Sequence, residues 1–187
     1  MPQLVAMSSS PVHIRNAVPE DIPYIAGIGR RVFSTSFGHT VTPEQLEEYL
    51  QSAYSIEAVT RDMENTDKDW IVATDSEDGT IMGFSLLTRG TSEPCLAHLE
   101  SLIEFQRVYV DMRFQGRGIA MLLMAEMEAI AKKTGYKNIW LGVWEENRRA
   151  QRVYGKMGFK VVGDHMFDVG GDIQRDLVML KTIESLA

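Results

Sequence analysis

One cysteine, Cys95, stands in 187 residues. An internal disulfide is therefore excluded, and a reducing, cytoplasmic setting is expected. No apolar run approaches the roughly 18 residues of a membrane span, so no membrane partner is expected. Bases are in the minority: 19 Lys and Arg face 26 Asp and Glu, a net charge of −7. That balance argues against nucleic acid as the main partner. His39, His98 and His165 have no second ligand one helical turn away, so no metal site is expected. Residues 1–11 carry no cationic stretch ahead of an apolar core and read as a flexible N-terminal tail, not a secretory signal. No repeat, low-complexity tract or linker interrupts residues 12–187. They read as one globular domain, with 44% apolar and 24% charged residues.

The charge is unevenly spread. Residues 43–78 hold eleven acids against Arg61 and Lys68, so the rest of the chain is slightly basic. Two readings stay open: an acidic cleft that draws a cationic substrate, or a solvated helix face and an acidic turn.

Hydrophobic periodicity and punctuation give a coarse order of elements. Val12–Ala17 reads as a strand. Pro19-Glu20-Asp21 opens a helix to about Phe37, and Thr42-Pro43 opens another to about Ser52. Ser55-Ile56-Glu57 starts a further helix. Trp70–Thr74 and Ile81–Thr88 form a hairpin around Asp78-Gly79. After a loop over 89–100, Leu102–Asp111 is a strand. Gly116–Thr134 is the main helix, with Ile119, Leu122, Leu123, Met127, Ile130 and Ala131 on its apolar side. Met121, Met124 and Met127 are read as core. Asn138–Val143 is a strand, Asn147–Met157 a helix, and Phe159–Asp168 and Ile173–Lys181 the last strands.

The junction Val108–Ala120 carries the first chemical signal. A strand ends, Gly116 and Gly118 punctuate a turn, and a helix begins. The first N–H groups of a helix lack intrahelical partners and attract anions. Glycines let a pyrophosphate approach the backbone, and Arg117 adds positive charge. A dinucleotide fingerprint would need a third glycine where Met121 stands, and a Walker A loop would need G-K-[ST]. Neither is present.

Gln115, Gly118 and Ala120 match the pattern Q/R-x-x-G-x-G/A. Asn147, Ala150, Tyr154 and Gly158-Phe159 follow at a matching distance. Together these motifs resemble the two signatures of the GNAT acetyltransferase superfamily, over roughly residues 12–182. Lys137–Glu145, with His165, Gly170, Asp172, Gln174 and Asp176, is similar to the bacterial spermidine/spermine N-acetyltransferase branch. The resemblance implies an α/β (α+β) fold: a mixed central sheet with helices on both faces, in the order β-αα-ββ-β-α-β-α-ββ. It also implies acetyl-CoA as cosubstrate, with its pantetheine arm in a splay between the motif strand and Asn138–Val143. Val108, Tyr109 and Val110 would line that arm through backbone groups, and Gln115, Gly116, Arg117, Gly118, Ile119 and Ala120 would wrap the pyrophosphate. Asn147 would tie the arm or cap its helix. Lys156 is a candidate for a CoA phosphate, or an ordinary exposed lysine. Many relatives dimerise, so a homodimer is an open expectation.

The implied reaction is aminolysis of a thioester. An alkylammonium must lose a proton, a developing oxyanion needs donors, and the departing thiolate needs a proton. Glu104, on the motif strand eleven residues before Gln115, is the candidate base. Some lysine acetyltransferases of the superfamily place a catalytic glutamate similarly. Strand alternation puts Glu104, Gln106, Val108 and Val110 on one face. Tyr154, by resemblance, protonates the CoA sulfur. Trp140 and Trp144 are read as packing residues, and Cys95 is set aside as a nucleophile.

The expected activity is direct acetyl transfer to a primary amine, preferably a small cationic amine such as a polyamine. A protein N-terminal or lysine acetyltransferase shares every CoA motif. An acyl-CoA-binding regulator with little turnover is the alternative of another class.

Overall fold

The computed structural model describes residues 11–183. The expected tail over 1–11 falls outside them except for Pro11. Strand β1 (Val12–Asn16) leads through a short 3-10 turn, Pro19–Asp21, into α1 (Ile22–Phe37). Helix α2 (Pro43–Tyr54) starts on a reciprocal cap: Thr42 Oγ1 accepts from the Gln45 N–H, and the Gln45 side chain accepts from the Thr42 N–H. Ser55 then ends α2 and caps α3 (Ile56–Glu64). Three helices, not the pair of the implied order, thus precede β2 (Lys68–Asp75) and β3 (Ile81–Arg89). Strand β4 (Leu102–Val110) is followed by α4 (Ile119–Lys133), β5 (Asn138–Trp144) and α5 (Arg148–Lys156). Strands β6 (Lys160–Val169) and β7 (Asp172–Thr182) close the chain.

The seven strands form one mixed sheet in the order β1-β2-β3-β4-β5-β7-β6. Among the described residues, only β4 and β5 pair in parallel. Helices α1–α3 cover one face, the front, through a core that joins Ile25, Phe33, Leu50 and Val59 to Trp70 and Phe84. Helix α4 covers the back, where Leu123 and Met127 meet Met82, Phe105 and Leu141. Each of these side chains is fully or nearly fully buried. Truncating one such leucine to alanine costs about 3 kcal/mol, so the two layers fix the sheet that carries the site.

Two expectations are corrected at α4. The helix starts at Ile119, not Gly116, because Gly118 is its cap at φ +76° and cannot continue a right-handed turn. Leu122 and Met121 are exposed, so the buried side of α4 is the narrower stripe Ile119, Leu123, Met124, Met127 and Ala131.

A third correction concerns β4. Its register with β3 shifts: Arg107 sits opposite Leu86 and Phe105 opposite Leu87, leaving Gln106 as an extra residue. Such a bulge flips the alternation. Ile103 and Phe105 join the back core with Val108 and Val110. Glu104 therefore shares the front face with Arg107 and Tyr109, and not with Val108 and Val110. Gln106 is spent structurally: its Oε1 accepts from Thr88 Oγ1 at 2.8 Å.

Candidate active site

Parallel pairing of β4 and β5 runs from Leu102–Asn138 to Glu104–Trp140 and stops. Beyond Glu104 the strands splay apart, as the resemblance implied. The Asp111 N–H donates to the Met82 carbonyl at 2.9 Å. Antiparallel alternation then points Tyr109 and Arg107 backbone groups at β3 and turns those of Val108 and Val110 into the gap. Gln115 Nε2 reaches the Val110 carbonyl from that side at 3.5 Å. The gap is thus an open strand edge, able to take an extended, amide-bearing ligand.

The turn after β4 is braced from below. Asp111 is buried and caps the short turn Met112–Phe114. Its carboxylate accepts from Arg113 Nε at 3.0 Å and from Arg31 Nη2 at 2.6 Å. Arg113 foremost, then Arg31, holds this carboxyl well below the usual carboxylate range, against its burial. Gly116 and Gly118 follow at φ +82° and +76°. A Cβ on either would meet nothing within 4 Å. Their left-handed backbone, together with the open space above it, is what calls for glycine. The N–H groups of Ile119 and Ala120 begin α4 and face that space. The Arg117 guanidinium carbon lies 5.7 Å from the Phe114 ring centre.

These parts enclose a cleft of ≈ 600 Å³. Val108 and Val110 form its strand wall, and Gln115, Gly116, Gly118, Ile119 and Ala120 form its turn. Asn147, Tyr154 and Lys156 close the α5 side, with Arg149 beside them. Asn147 also caps α5, its Oδ1 accepting from the Ala150 N–H at 3.1 Å. Two sequence candidates are not brought to the cleft wall. Arg117 stays over Phe114, and Tyr109 points to the front, 5.4 Å from Phe84 and 5.9 Å from Tyr54 between ring centres.

Tyr154 packs against the back core and lies edge-on to Phe159. Burial foremost, and the nearby Tyr109 phenol, push its hydroxyl up to about 12. It is a protonated donor at any physiological pH.

Glu104 lies at the apex of the splay on the front. Burial raises its carboxyl; the Thr91 hydroxyl and the His165 imidazole work against that shift, and Glu93 adds to it. His165 Nδ1 meets Glu93 Oε1 at 2.7 Å, while Nε2 is 3.8 Å from Asp176 Oδ2. Asp176 foremost, then Glu93, raises the imidazole to about 9 despite its burial. Glu93, Glu104 and Asp176 are therefore three carboxylates around one imidazolium.

The acidic segment 43–78 does not build this cluster. Glu47 pairs with Arg30, Asp62 with Lys68 and Asp69 with Arg89. Asp75 and Asp78 cap the β2–β3 turn. Trp140 is buried against Leu96 and Val178, and Trp144 lies edge-on to Phe37 and His39. Sequence reasoning missed Glu93, Arg107, Tyr49 and Tyr54. The bulge hid Arg107, and nothing local links Glu93 to His165, 72 residues away. Among the described residues, no group of three or more His, Cys, Asp or Glu could hold a metal ion, and no helix is long and apolar enough to cross a membrane.

Comparison with known proteins agrees with this geometry. A family model for the acetyltransferase (GNAT) family matches residues 35–159. An uncharacterised N-acetyltransferase of Mycobacterium tuberculosis is 29% identical over 163 residues, covering 87% of this chain and 98% of that protein. The spermidine N(1)-acetyltransferase of Thermoplasma acidophilum is 26% identical over 178 residues, covering 93% and 99%. A crystal structure of the PaiA N-acetyltransferase from the same organism, in complex with coenzyme A, superposes with a TM-score of 0.72. It is 24% identical and covers 92% of this chain and 99% of that one. The glycine turn, the open β4 edge and the long cleft suit a nucleotide thioester in shape and donor set. The chain belongs to the GNAT acetyltransferase family and is an N-acetyltransferase that uses acetyl-CoA.

Proposed function

We propose that this enzyme acetylates a small primary amine that reaches the splay from the front face. A polyamine fits the carboxylate cluster, and the spermidine acetyltransferase relative supports that choice. The single observation behind the reading is the break in β4–β5 pairing at Glu104, with Glu104 in front of the gap and Tyr154 behind it.

When bound, acetyl-CoA supplies an activated acyl group as a thioester. The N–H groups of Gly116, Gly118, Ile119 and Ala120 would hold its pyrophosphate, with Lys156 and Arg149 at the rim. Backbone groups of Val108 and Val110 would pair with the pantetheine arm. One of their N–H groups would polarise the acetyl carbonyl. Glu93 and Asp176 would draw the ammonium inward. Glu104 would take its proton, directly or through a water, since a raised carboxyl is a better base. Tyr154 would give its proton to the departing sulfur. With the amine and the acyl group held on opposite sides of one gap, transfer is direct and no acyl-enzyme is required.

The test is CoA release from acetyl-CoA across spermidine, spermine, aminoglycosides, amino acids and lysine peptides. Turnover on small amines supports the reading. Turnover confined to peptides reassigns the substrate to protein amines and leaves the proton roles in place. Acetyl-CoA binding without turnover on any amine favours a CoA-sensing regulator.

A further inference from the structure

Arg107 Nη1 and Trp140 Nε1 are buried and lack a hydrogen-bond partner among the described residues. Both belong to residues on the front of the sheet, around the same gap. Arg107 and Tyr54 form a pole of their own. The Arg107 guanidinium lies over the Tyr54 ring, its carbon 4.8 Å from the centre. Its nearest carboxylate oxygen is Asp62 Oδ2 at 3.8 Å, and Lys68 Nζ already holds Asp62 Oδ1 at 2.7 Å. Asp62 is shared between two cations, so Arg107 has no carboxylate at hydrogen-bonding distance and rests against the Tyr54 and Trp70 rings. Arginine does not lose its proton here, and it offers five N–H donors. The hydroxyls of Tyr49, Tyr54 and Tyr109 lie within reach of one another and of that charge. Burial raises all three phenols, so each keeps its proton and can donate. The phenols can also accept from one another, but Arg107 Nη1 is left without a partner, and an orphaned donor in a dry place is costly.

The other pole has the opposite sign. Glu93, Glu104 and Asp176 surround His165 on the same face. Glu104 and Arg107 are same-face neighbours on β4 across the bulge, roughly 7 Å apart along the strand. A polycation satisfies the carboxylate pole and leaves Arg107 orphaned. A zwitterion whose anionic group lies a few bonds from its amine satisfies both.

We propose that Arg107, with Tyr54 and Tyr109, forms a subsite for a carboxylate on the acceptor, making the substrate class an α-amino acid or a similar short zwitterionic amine. The inference rests on the acetyltransferase reading above, keeps its small primary amine and replaces the polyamine with a zwitterion. The ammonium faces Glu104, and the carboxylate takes hydrogen bonds from the guanidinium and the phenols. A charge-assisted pair of this kind is worth about tenfold to hundredfold in affinity.

The experiment compares each amino acid with its decarboxylated partner: phenylalanine with phenethylamine, and lysine with cadaverine. CoA release gives kcat/KM for each. Calorimetry on the CoA-loaded protein gives the binding ratio of the same pairs without needing turnover. The carboxylate-bearing member is expected to lead by about tenfold or more in at least one pair. Arg107→Gln should bring that ratio toward one, and Arg107→Lys should restore part of it. Tyr54→Phe, which keeps the ring under the guanidinium, should lower it less than Arg107→Gln does. Equal ratios in the wild type, or decarboxylated amines ahead in both measurements, overturn the subsite and leave the acetyltransferase reading standing. Absence of turnover on every amine strikes that reading instead, and the calorimetric ratio then decides the subsite alone.

Discussion

Replacing Tyr154 with phenylalanine removes one oxygen from the proposed chemistry and little else. The ring stays packed against the back core and edge-on to Phe159. The hydroxyl makes no hydrogen bond among the described residues, so its loss should change stability by less than about 1 kcal/mol. Acetyl-CoA affinity should also hold, because the pyrophosphate and pantetheine contacts come from the turn and from β4. The cost falls on the departing sulfur. A positioned general acid contributes roughly 10²–10⁴-fold, equivalent to about 3–5 kcal/mol of barrier. The phenol is raised to about 12, chiefly by burial, so the wild type keeps this proton and shows no fall in rate from its loss below about pH 11. The assay is stopped-flow or thiol-coupled CoA release at saturating acetyl-CoA, with thermal unfolding and calorimetric acetyl-CoA binding as controls. A kcat within threefold of wild type, on a folded protein that still binds acetyl-CoA, would refute the acid role.

Glu104→Gln should lower kcat/KM mainly at the acid end, where the amine arrives charged, by about tenfold or more. Its melting temperature at pH 7 should not fall, since burial already disfavours the ionised carboxyl; an unchanged pH–rate profile removes Glu104 as base. Gly118→Val should cost the free protein only about 1–2 kcal/mol of left-handed strain while abolishing cofactor affinity, since the new side chain fills open space above the turn. Wild-type acetyl-CoA affinity in that variant would misplace the pyrophosphate. Asp111→Asn should destabilise by about 1–3 kcal/mol at pH 7, a modest figure because Arg31 and Arg113 are solvent-exposed. A folded pKa below the unfolded one gives stability that is present above about pH 4 and lost as pH falls, so the wild-type advantage in urea melts should shrink in acid. His165 has the opposite sign. Raised to about 9, it contributes stability that is full below about pH 6.5 and lost as pH rises through 9. His165→Gln should flatten that slope, and parallel melting curves for the two proteins would exclude the Glu93–His165–Asp176 clamp as its source.

Much of this geometry is legible in the chain because it is written locally. Thr42-Pro43 and Ser55 cap helices through side chains three residues away, and the glycines before α4 mark a left-handed stop. The cleft follows from the same logic, since strand, turn and helix are consecutive in sequence. What escapes is non-local. One extra residue at Gln106 turns Arg107 to the front and Val108 to the back, and period-2 reading has no means of placing a bulge. The exposure of Leu122 shows the same limit on a helix, because the width of the buried stripe depends on the sheet beneath it.

Of the two readings of the acidic segment, the ion pairs favour the solvated face and turn, and the contrast shows where an acceptor's ammonium would be drawn. Sequence density of acids measures how often carboxylates occur, while a site needs carboxylates that lack their own cations. Within 43–78, lysine, arginine or turn N–H groups answer Glu47, Asp62, Asp69, Asp75 and Asp78. Their field is largely spent before it reaches the gap. Glu93, Glu104 and Asp176 come from a loop and two strands that touch only when the sheet closes; His165 stands among them, and Lys68 acts on Glu104 from farther off. They are partly or largely removed from water, where an uncompensated charge acts over a longer distance. A few desolvated carboxylates thus outweigh a longer solvated run. Neutralising Glu93 or Asp176 should raise KM for a cationic acceptor more than removing any acid of the 43–78 segment. Equal effects would favour the other reading of the acidic segment, a cleft that draws a cationic substrate.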